Sequence, residues 1–188
     1  MTGAGKSSVC DYLRKRYGFS FVRFGQITLD LAKQRFGTVN QEKERIIREE
    51  IREKHGMAAY AILNMDKFKL GLKRGNVVGD GLISYEEALF LEKQFGSRFI
   101  LLCVVAGRLF RYNRLENRAV KGDVKMRFRS HTKQEAISRD MTQLGNINQG
   151  PSIALADYYI VNQGSMGELN AQTRAFLEWA KKERGLEL

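Results

Sequence analysis

Short apolar runs alternate with longer amphipathic stretches along this chain. The apolar runs predict four β-strands, in residues 19–24, 76–80, 98–105 and 157–162. The run at 98–105 is apolar almost throughout, which is typical of a strand covered on both faces in a parallel sheet. Apolar residues at helical spacing predict helices in residues 8–17, 27–36, 41–54, 57–73, 132–144 and 166–184. A capping-box pattern at Ser84 and Glu87 predicts the start of one more helix, and residues 146–151 are predicted to form a loop.

The order of these elements indicates the class of fold. Strands that alternate with helices predict an α/β protein with a mostly parallel sheet. A chain of 188 residues is long enough to bury its own core, and no repeat, low-complexity stretch or linker divides it. We therefore expect a single domain over residues 1–188.

Composition limits the classes of protein to which the chain can belong. It is 43% hydrophobic and 28% charged, as ordinary globular proteins are. No apolar run approaches the length that spans a membrane, and no signal-peptide pattern opens the chain. Cys10 and Cys103 lack the spacing of metal ligands and are expected to be buried thiols rather than a disulfide. These features predict a cytoplasmic protein without membrane contact.

The net charge of +11 is concentrated in one segment, residues 108–139. Three acidic residues there oppose ten basic ones: Arg108, Arg111, Arg114, Arg118, Lys121, Lys125, Arg127, Arg129, Lys133 and Arg139. The planar fork of arginine binds phosphate oxygens in pairs. The segment therefore suits either an RNA-binding surface or a lid that closes over a polyphosphate.

Gly3-Ala4-Gly5-Lys6-Ser7-Ser8 matches the end of the phosphate-binding P-loop motif, G-x-x-x-x-G-K-[ST]. The first glycine of the motif would fall one position before the first residue, and the strand that feeds such a loop has no counterpart in the sequence. Glycines allow successive backbone N–H groups to surround phosphate oxygens, and the helix that follows adds its positive end. In such a loop Lys6 bridges the β- and γ-phosphates, and the Ser7 hydroxyl binds Mg²⁺. A glycine-rich turn is the alternative, but residues 9–17 carry the apolar helix face that the motif requires.

Further blocks of sequence extend this motif to the whole chain, at residues 52–59, 80–81, 139–140 and 153–162. With them the chain resembles nucleoside-monophosphate-kinase-type P-loop proteins, and more closely the adenylate-kinase-like and dephospho-CoA-kinase-like family widespread in archaea. The most distinctive block is the last, which begins Ile153-Ala154-Leu155-Ala156-Asp157 and ends at Asn162. The resemblance implies a three-layer P-loop NTPase fold in which residues 108–139 form an arginine-rich lid. It also implies a first strand before residue 1, which this sequence lacks.

The resemblance implies transfer of the ATP γ-phosphate, with Mg²⁺ as cofactor, to a nucleotide monophosphate or a related phosphate-bearing acceptor. It assigns the binding of ATP to Gly3, Ala4, Gly5, Lys6, Ser7 and Ser8. Asp80 ends a strand and would hold Mg²⁺ together with Ser7, the alternative being a turn aspartate before Gly81. The residues implied to stabilise charge in the transition state are Arg114, Arg118 and Arg139, and each has the alternative of a solvated surface arginine.

The sequence departs from the family at the acceptor side. The family pattern Gly-Asp-x-x-Arg becomes Gly25-Gln26-Ile27-Thr28-Leu29, and Asp-Gly-x-Arg becomes Asp80-Gly81-Leu82-Ile83. In monophosphate kinases those arginines would grip the phosphate of the acceptor, so their loss removes two strong charge-assisted hydrogen bonds. The candidates to replace them are Arg23, Lys33 and Arg52.

Three functions remain open from the sequence. The first is a kinase with an altered acceptor, and the second is a nucleotide-binding regulatory ATPase without a small-molecule acceptor. The third is an RNA-binding protein, but Phe110, Tyr112 and Phe128 are the only aromatic residues of the basic segment, and no RNA-binding motif is present. Nucleic acid is therefore a less favoured partner than a nucleotide.

Overall fold

The computed structural model describes residues 1–117 and 132–188. Two compact units are distinguished: the P-loop unit, residues 1–9 and 100–187, and the middle unit, residues 10–99 with Leu188. In chain order the elements are α1 (Lys6–Tyr17), β1 (Ser20–Arg23), α2 (Gln26–Phe36), α3 (Gln41–His55), α4 (Ala59–Leu63), α5 (Met65–Leu72), β2 (Val77–Asp80), α6 (Tyr85–Phe95), β3 (Leu102–Val105), α7 (Arg108–Glu116), α8 (Lys133–Gly145), α9 (Gln149–Ala154), β4 (Tyr158–Val161) and α10 (Met166–Arg184).

The middle unit is built on β1 and β2, which pair in parallel with Ser20 opposite Val77 and Arg23 opposite Asp80. Parallel strands need a crossover connection, and helices α2 to α5 supply it. The apolar sides of the strands and helices share one core, which contains Val22, Phe24, Ala32, Ile47, Ile51, Ala59, Tyr60, Ala61, Phe68 and Leu91. This core joins β1 to helices α2 to α6.

The P-loop unit is built on β3 and β4, which are also parallel, with Leu102 opposite Tyr158. Helix α10 packs on β4. The Gln172 side chain of α10 accepts from the Val161 N–H and donates to the Val161 carbonyl, both at 2.9 Å. An amide side chain thus satisfies the backbone groups that an edge strand would otherwise present.

The prediction of an α/β protein with parallel strands is confirmed. The capping box is also present, since the Glu87 N–H donates to Ser84 Oγ at 3.2 Å. Both cysteines are free thiols. Among residues 1–117 and 132–188, no helix has the length and apolar character needed to cross a membrane.

Three predicted elements were wrong in their extent. The helix predicted for 57–73 is two helices, α4 and α5, because the buried Asn64 between them donates its side-chain amide to the Tyr60 carbonyl at 2.9 Å. The loop predicted for 146–151 contains the start of α9, which accommodates Pro151 in its first turn, where a missing N–H is tolerated. The strand predicted for 98–105 is confined to β3, since Arg98 belongs to a 3₁₀ turn of residues 96–98 and only residues 102–105 pair with β4.

Candidate functional site: a glycine loop at the start of α1

The backbone of residues 3–5 has the conformation that the sequence motif predicts. Gly3 has φ +78° and Gly5 has φ +103°, a region that side chains disfavour. A Cβ added to Gly5 would lie 2.1 Å from Asn162 Nδ2, and one added to Gly3 would lie 2.8 Å from the Arg111 carbonyl oxygen. The Gly5 carbonyl accepts from the Ser8 N–H at 3.0 Å, so the loop passes directly into α1. Glycine is therefore required at both positions for conformation and for space.

Lys6 and Ser7 begin α1 directly after this loop. The Lys6 ammonium donates to the Met1 carbonyl oxygen at 2.8 Å, so its side chain folds back along the loop. Ser7 and Ser8 are partly buried in the first turn of α1. An ammonium, glycine-exposed backbone N–H groups and a helix N-terminus form a donor set that fits phosphate oxygens, and a serine hydroxyl fits a hard cation such as Mg²⁺.

Asn162 fixes the loop from the end of β4, a role that the sequence reasoning missed. Its side-chain amide donates to the Ala4 carbonyl oxygen at 2.8 Å, and the residue is only 8% exposed. The available signal was a polar residue directly after an apolar strand, because ligand sites in parallel α/β proteins lie at the carboxyl ends of strands. Nothing in the local sequence connects Asn162 with a loop 158 residues away.

Arg111, on α7, is the second residue that sequence reasoning missed. Its guanidinium donates to the Thr2 carbonyl at 3.0 Å and to the Ala106 carbonyl at 3.2 Å. It also forms an ion pair with Asp140 of α8 at 2.6 Å, and both side chains are 6% exposed. The Tyr112 hydroxyl donates to the same carboxylate at 3.1 Å. This buried network holds the start of the loop against α7 and α8.

The three predicted lid arginines have different surroundings. Arg114 donates to the Asn162 carbonyl at 2.8 Å and lies over the Phe110 ring, so it supports the residue that fixes the loop. Arg139 is partly buried on α8, beside Asp140 in the sequence. Arg118 lies outside the described residues. The roles of all three in contacting phosphate stay predictions.

Asp80, the predicted Mg²⁺ ligand, ends β2 in the middle unit and is 8% exposed. Gly81 follows with φ +100°, a conformation that suits a turn. The Asp80 carbonyl accepts from the Phe24 N–H at 3.0 Å, so the end of β2 lies beside the residue that follows β1. The position of Asp80 at the carboxyl end of a parallel strand is compatible with a Mg²⁺ ligand and with a turn aspartate. Its role as a metal ligand stays a prediction.

On the acceptor side, apolar residues hold the two arginine positions of the family pattern, and an internally bonded glutamine holds its acid position. Leu29 is 5% exposed in α2, and the Ile83 N–H donates to Glu87 Oε2 at 2.9 Å. Gln26 accepts from Arg23 at 3.0 Å and donates to Asp30 at 2.9 Å. Leu29 and Ile83 do not supply the positive charge that the family pattern places at their positions, and Gln26 stands where the pattern has an acid.

Comparisons with known proteins agree with the geometry of the loop. A family model described as an AAA domain matches residues 1–102. A UPF0200 protein of Pyrococcus horikoshii is 31% identical over 170 residues, which cover 89% of this chain and 87% of that protein. A UPF0200 protein of Thermoplasma acidophilum is 30% identical over 178 residues, covering 94% and 91%, and one of Pyrococcus abyssi is 33% identical over 167 residues, covering 88% and 85%. The AAA domain indicates nucleotide binding, and the names of these relatives state no activity.

Proposed function

This chain belongs to the AAA domain family and to the UPF0200 family, and from that premise we propose that it is an ATP-dependent phosphotransferase with a phosphate-bearing acceptor. The observation that carries the proposal is the loop at residues 3–8. Its positive-φ glycines, the Lys6 ammonium and the Asn162 amide form a structure that suits a polyphosphate and leaves no space for a side chain at Gly5.

Each residue of the loop has a task in this proposal. The backbone N–H groups and Lys6 bind the triphosphate, and Lys6 exchanges the Met1 carbonyl for phosphate oxygens. Ser7 and Asp80 are the proposed ligands of Mg²⁺, whose chemistry is to neutralise charge on the phosphate oxygens. Arg114, Arg118 and Arg139 are proposed to stabilise the charge that develops during transfer. The catalytic contribution of the protein is then positioning and electrostatics rather than a covalent intermediate.

A regulatory ATPase without an acceptor is the second candidate, and one observation favours it. The acceptor side carries Leu29 within the hydrophobic interior and an apolar Ile83 where the family has arginines. An RNA-binding protein receives less support from the basic segment, because Arg111 is buried in an ion pair and Arg114 donates to a backbone carbonyl.

The test is ADP formation from Mg-ATP in the presence of AMP, GMP, CMP, UMP, dTMP or dephospho-CoA. Stimulation by one of these supports the phosphotransferase, and one slow rate whatever is added supports the regulatory ATPase. Retention of RNA that falls steeply as the salt concentration rises supports an RNA-binding protein. Lys6→Ala is expected to weaken ATP binding at least tenfold, whereas Lys15→Ala, an exposed lysine of the same helix, leaves it unchanged. Wild-type ATP affinity in Lys6→Ala would refute the assignment of the loop.

A further inference from the structure

Two segments of the middle unit are basic and contain no acidic residue. Residues 12–23 carry four basic residues, and residues 67–78 carry four more. Two of these eight are engaged locally, since Arg23 donates to Gln26 at 3.0 Å and Lys67 donates to Asn64 at 3.2 Å. The other six are exposed, and we call them the basic patch: Arg14, Lys15, Arg16, Lys69, Lys73 and Arg74.

The fold brings both segments to one end of a strand pair. Helix α1 leads into β1 and helix α5 leads into β2, and because these strands are parallel their amino ends are adjacent. The Ser20 N–H donates to the Asn76 carbonyl at 2.8 Å, and Ser20 Oγ donates to the Gly71 carbonyl at 3.4 Å. A Cβ added to Gly71 would lie 2.8 Å from Val77 Cγ2, so the end of α5 packs closely on β2. The basic residues of the two segments therefore lie at the same end of this strand pair.

The positive charge of the basic patch is largely uncompensated. Arg14 pairs with Asp11 at 3.4 Å and stacks on the Phe21 ring, with Cζ 4.7 Å from the ring centroid. In the part of the chain that the structure describes, the other five side chains of the patch form no ion pair. The carboxyl end of a helix carries roughly half a negative charge, so the ends of α1 and α5 together offset about one of the six positive charges. The remainder produces a field that attracts a polyanion.

Aromatic side chains alternate with the basic residues in the first segment. Tyr12, Tyr17, Phe19 and Phe21 are all partly exposed. The rings of Tyr12 and Tyr17 form a tilted pair with their centroids 5.9 Å apart. Exposed rings beside cations are the surface on which the bases of a single strand stack, whatever their sequence. An anionic membrane or a nucleic-acid duplex presents charge without unstacked bases, so the rings favour a single strand.

We propose that the basic patch and these aromatic residues bind single-stranded nucleic acid, with the cations on its phosphates and the rings against its bases. The surface lies at the amino ends of β1 and β2, whereas Arg23 and Asp80 lie at their carboxyl ends. It also lies outside the basic segment of residues 108–139, and it requires neither ATP nor the proposed phosphoryl transfer. Retention of RNA that depends on this patch therefore adds a partner to the phosphotransferase rather than replacing that function.

The experiment is fluorescence anisotropy of a labelled single-stranded RNA of about 16 nucleotides, titrated with the full chain. Lys73→Gln combined with Arg74→Gln is expected to weaken binding at least tenfold at low salt. The slope of log affinity against log salt concentration is expected to become shallower by about 0.7 for each cation removed. Arg45→Gln combined with Lys54→Gln removes the same charge from exposed positions of α3 in the same unit, and it is expected to bind like the wild type.

Further variants separate stacking from charge and this surface from the 108–139 segment. Tyr17→Leu and, separately, Phe19→Leu keep an apolar side chain without the ring, and they are expected to weaken binding about fivefold with the same salt slope. Arg108→Gln combined with Lys133→Gln is expected to bind RNA like the wild type. The Lys73 and Arg74 double variant is expected to keep the wild-type melting temperature and ATP affinity, which shows that its effect is not loss of structure.

Four outcomes would overturn the inference. They are absence of RNA binding by the wild type, equal affinity in the Lys73 and Arg74 double variant and its α3 control, unchanged affinity in both aromatic variants, and tighter binding of an RNA duplex or of phosphatidylserine vesicles than of the single strand. If RNA does not bind while ATP binds through Lys6, the nucleotide-binding part of the proposed function stands alone. If RNA binds through the patch and ATP does not bind, the proposed function fails and this surface stands.

Discussion

Two arginines, one in each compact unit, differ in burial and in the partners of their guanidinium groups. Arg111 in the P-loop unit is 5% exposed and has a carboxylate and two backbone carbonyls as partners. Arg52 in the middle unit is half-buried, with an aromatic ring beneath it and no hydrogen-bond partner for its Nε among the described residues. Arg111 therefore connects distant parts of its unit through hydrogen bonds and an ion pair, whereas Arg52 is positioned by stacking on Tyr60.

The largest effect on stability is expected from Arg111→Met, which removes the ion pair between Arg111 and Asp140. The substitution leaves Asp140 buried without its counter-ion and releases the Thr2 carbonyl, so we expect a loss of about 3–5 kcal/mol in the free energy of unfolding. Urea denaturation measures it. Arg108→Ala, an exposed arginine on the same helix, is the control and is expected to change stability by less than about 0.5 kcal/mol.

A second variant keeps this prediction testable if Arg111→Met does not fold. Combining Arg111→Met with Asp140→Asn removes both charges and leaves Tyr112 a hydrogen-bond partner. We expect the double variant to be more stable than Arg111→Met alone, because no uncompensated charge remains. A double variant that is less stable than the single one would contradict the account of the pair.

The next effect concerns Glu87, the buried acid near Arg52. Its folded-state pKa of about 7 lies above the ordinary value of 4.5, so the folded protein holds this proton more tightly than the unfolded chain. The resulting contribution to stability is fully present below pH 4.5 and is lost as the pH rises to about 7. A shift of this size corresponds to about 3 kcal/mol. Glu87→Gln removes the titration, so relative to wild type it is expected to gain stability between pH 4.5 and pH 8.

Thermal unfolding of the wild type and of Glu87→Gln between pH 4.5 and pH 8 measures this gain in stability. Glu168→Gln, which alters the capping box of α10 at the protein surface, is the matched control for loss of a capping interaction. A constant difference between Glu87→Gln and wild type at every pH would show that the glutamate acts only as a cap. In that case Glu87 would not differ in protonation between the folded and the unfolded protein.

The smallest effect on stability is expected at Asn162, whose side chain holds the glycine loop of the P-loop unit. Asn162→Ala removes the donor to the Ala4 carbonyl, which costs about 1 kcal/mol and is expected to weaken ATP binding about fivefold. Gln163→Ala is the neighbouring control, because that side chain bonds the Gly107 N–H rather than the loop. Equal ATP affinity in Asn162→Ala and wild type, with stability lowered, would restrict Asn162 to packing.

Local signals account for what could be predicted from the sequence. The parallel α/β class followed from the apolar runs, and the capping box at Ser84 followed from residues three positions apart. The glycine at position 5 followed from a motif that fixes glycine there, whereas the motif leaves position 3 open and the positive φ of Gly3 was shown only by the structure. The division of residues 57–73 into two helices did not follow, because it depends on a buried amide that also donates to the Phe24 carbonyl, 40 residues away.

The sequence by itself determined the alternation of strands and helices, the glycine loop before α1 and the absence of the family arginines at Leu29 and Ile83. Only the tertiary structure decided which charged and polar groups have partners. Arg111 meets the Thr2 carbonyl across 109 residues, and Asn162 meets the Ala4 carbonyl across 158. Whether a side chain is paired depends on partners that folding brings from such distances, and no local pattern encodes them. For that reason the sequence presents the ten basic residues of the 108–139 segment alike, while the structure shows that Arg111 is buried in an ion pair with Asp140.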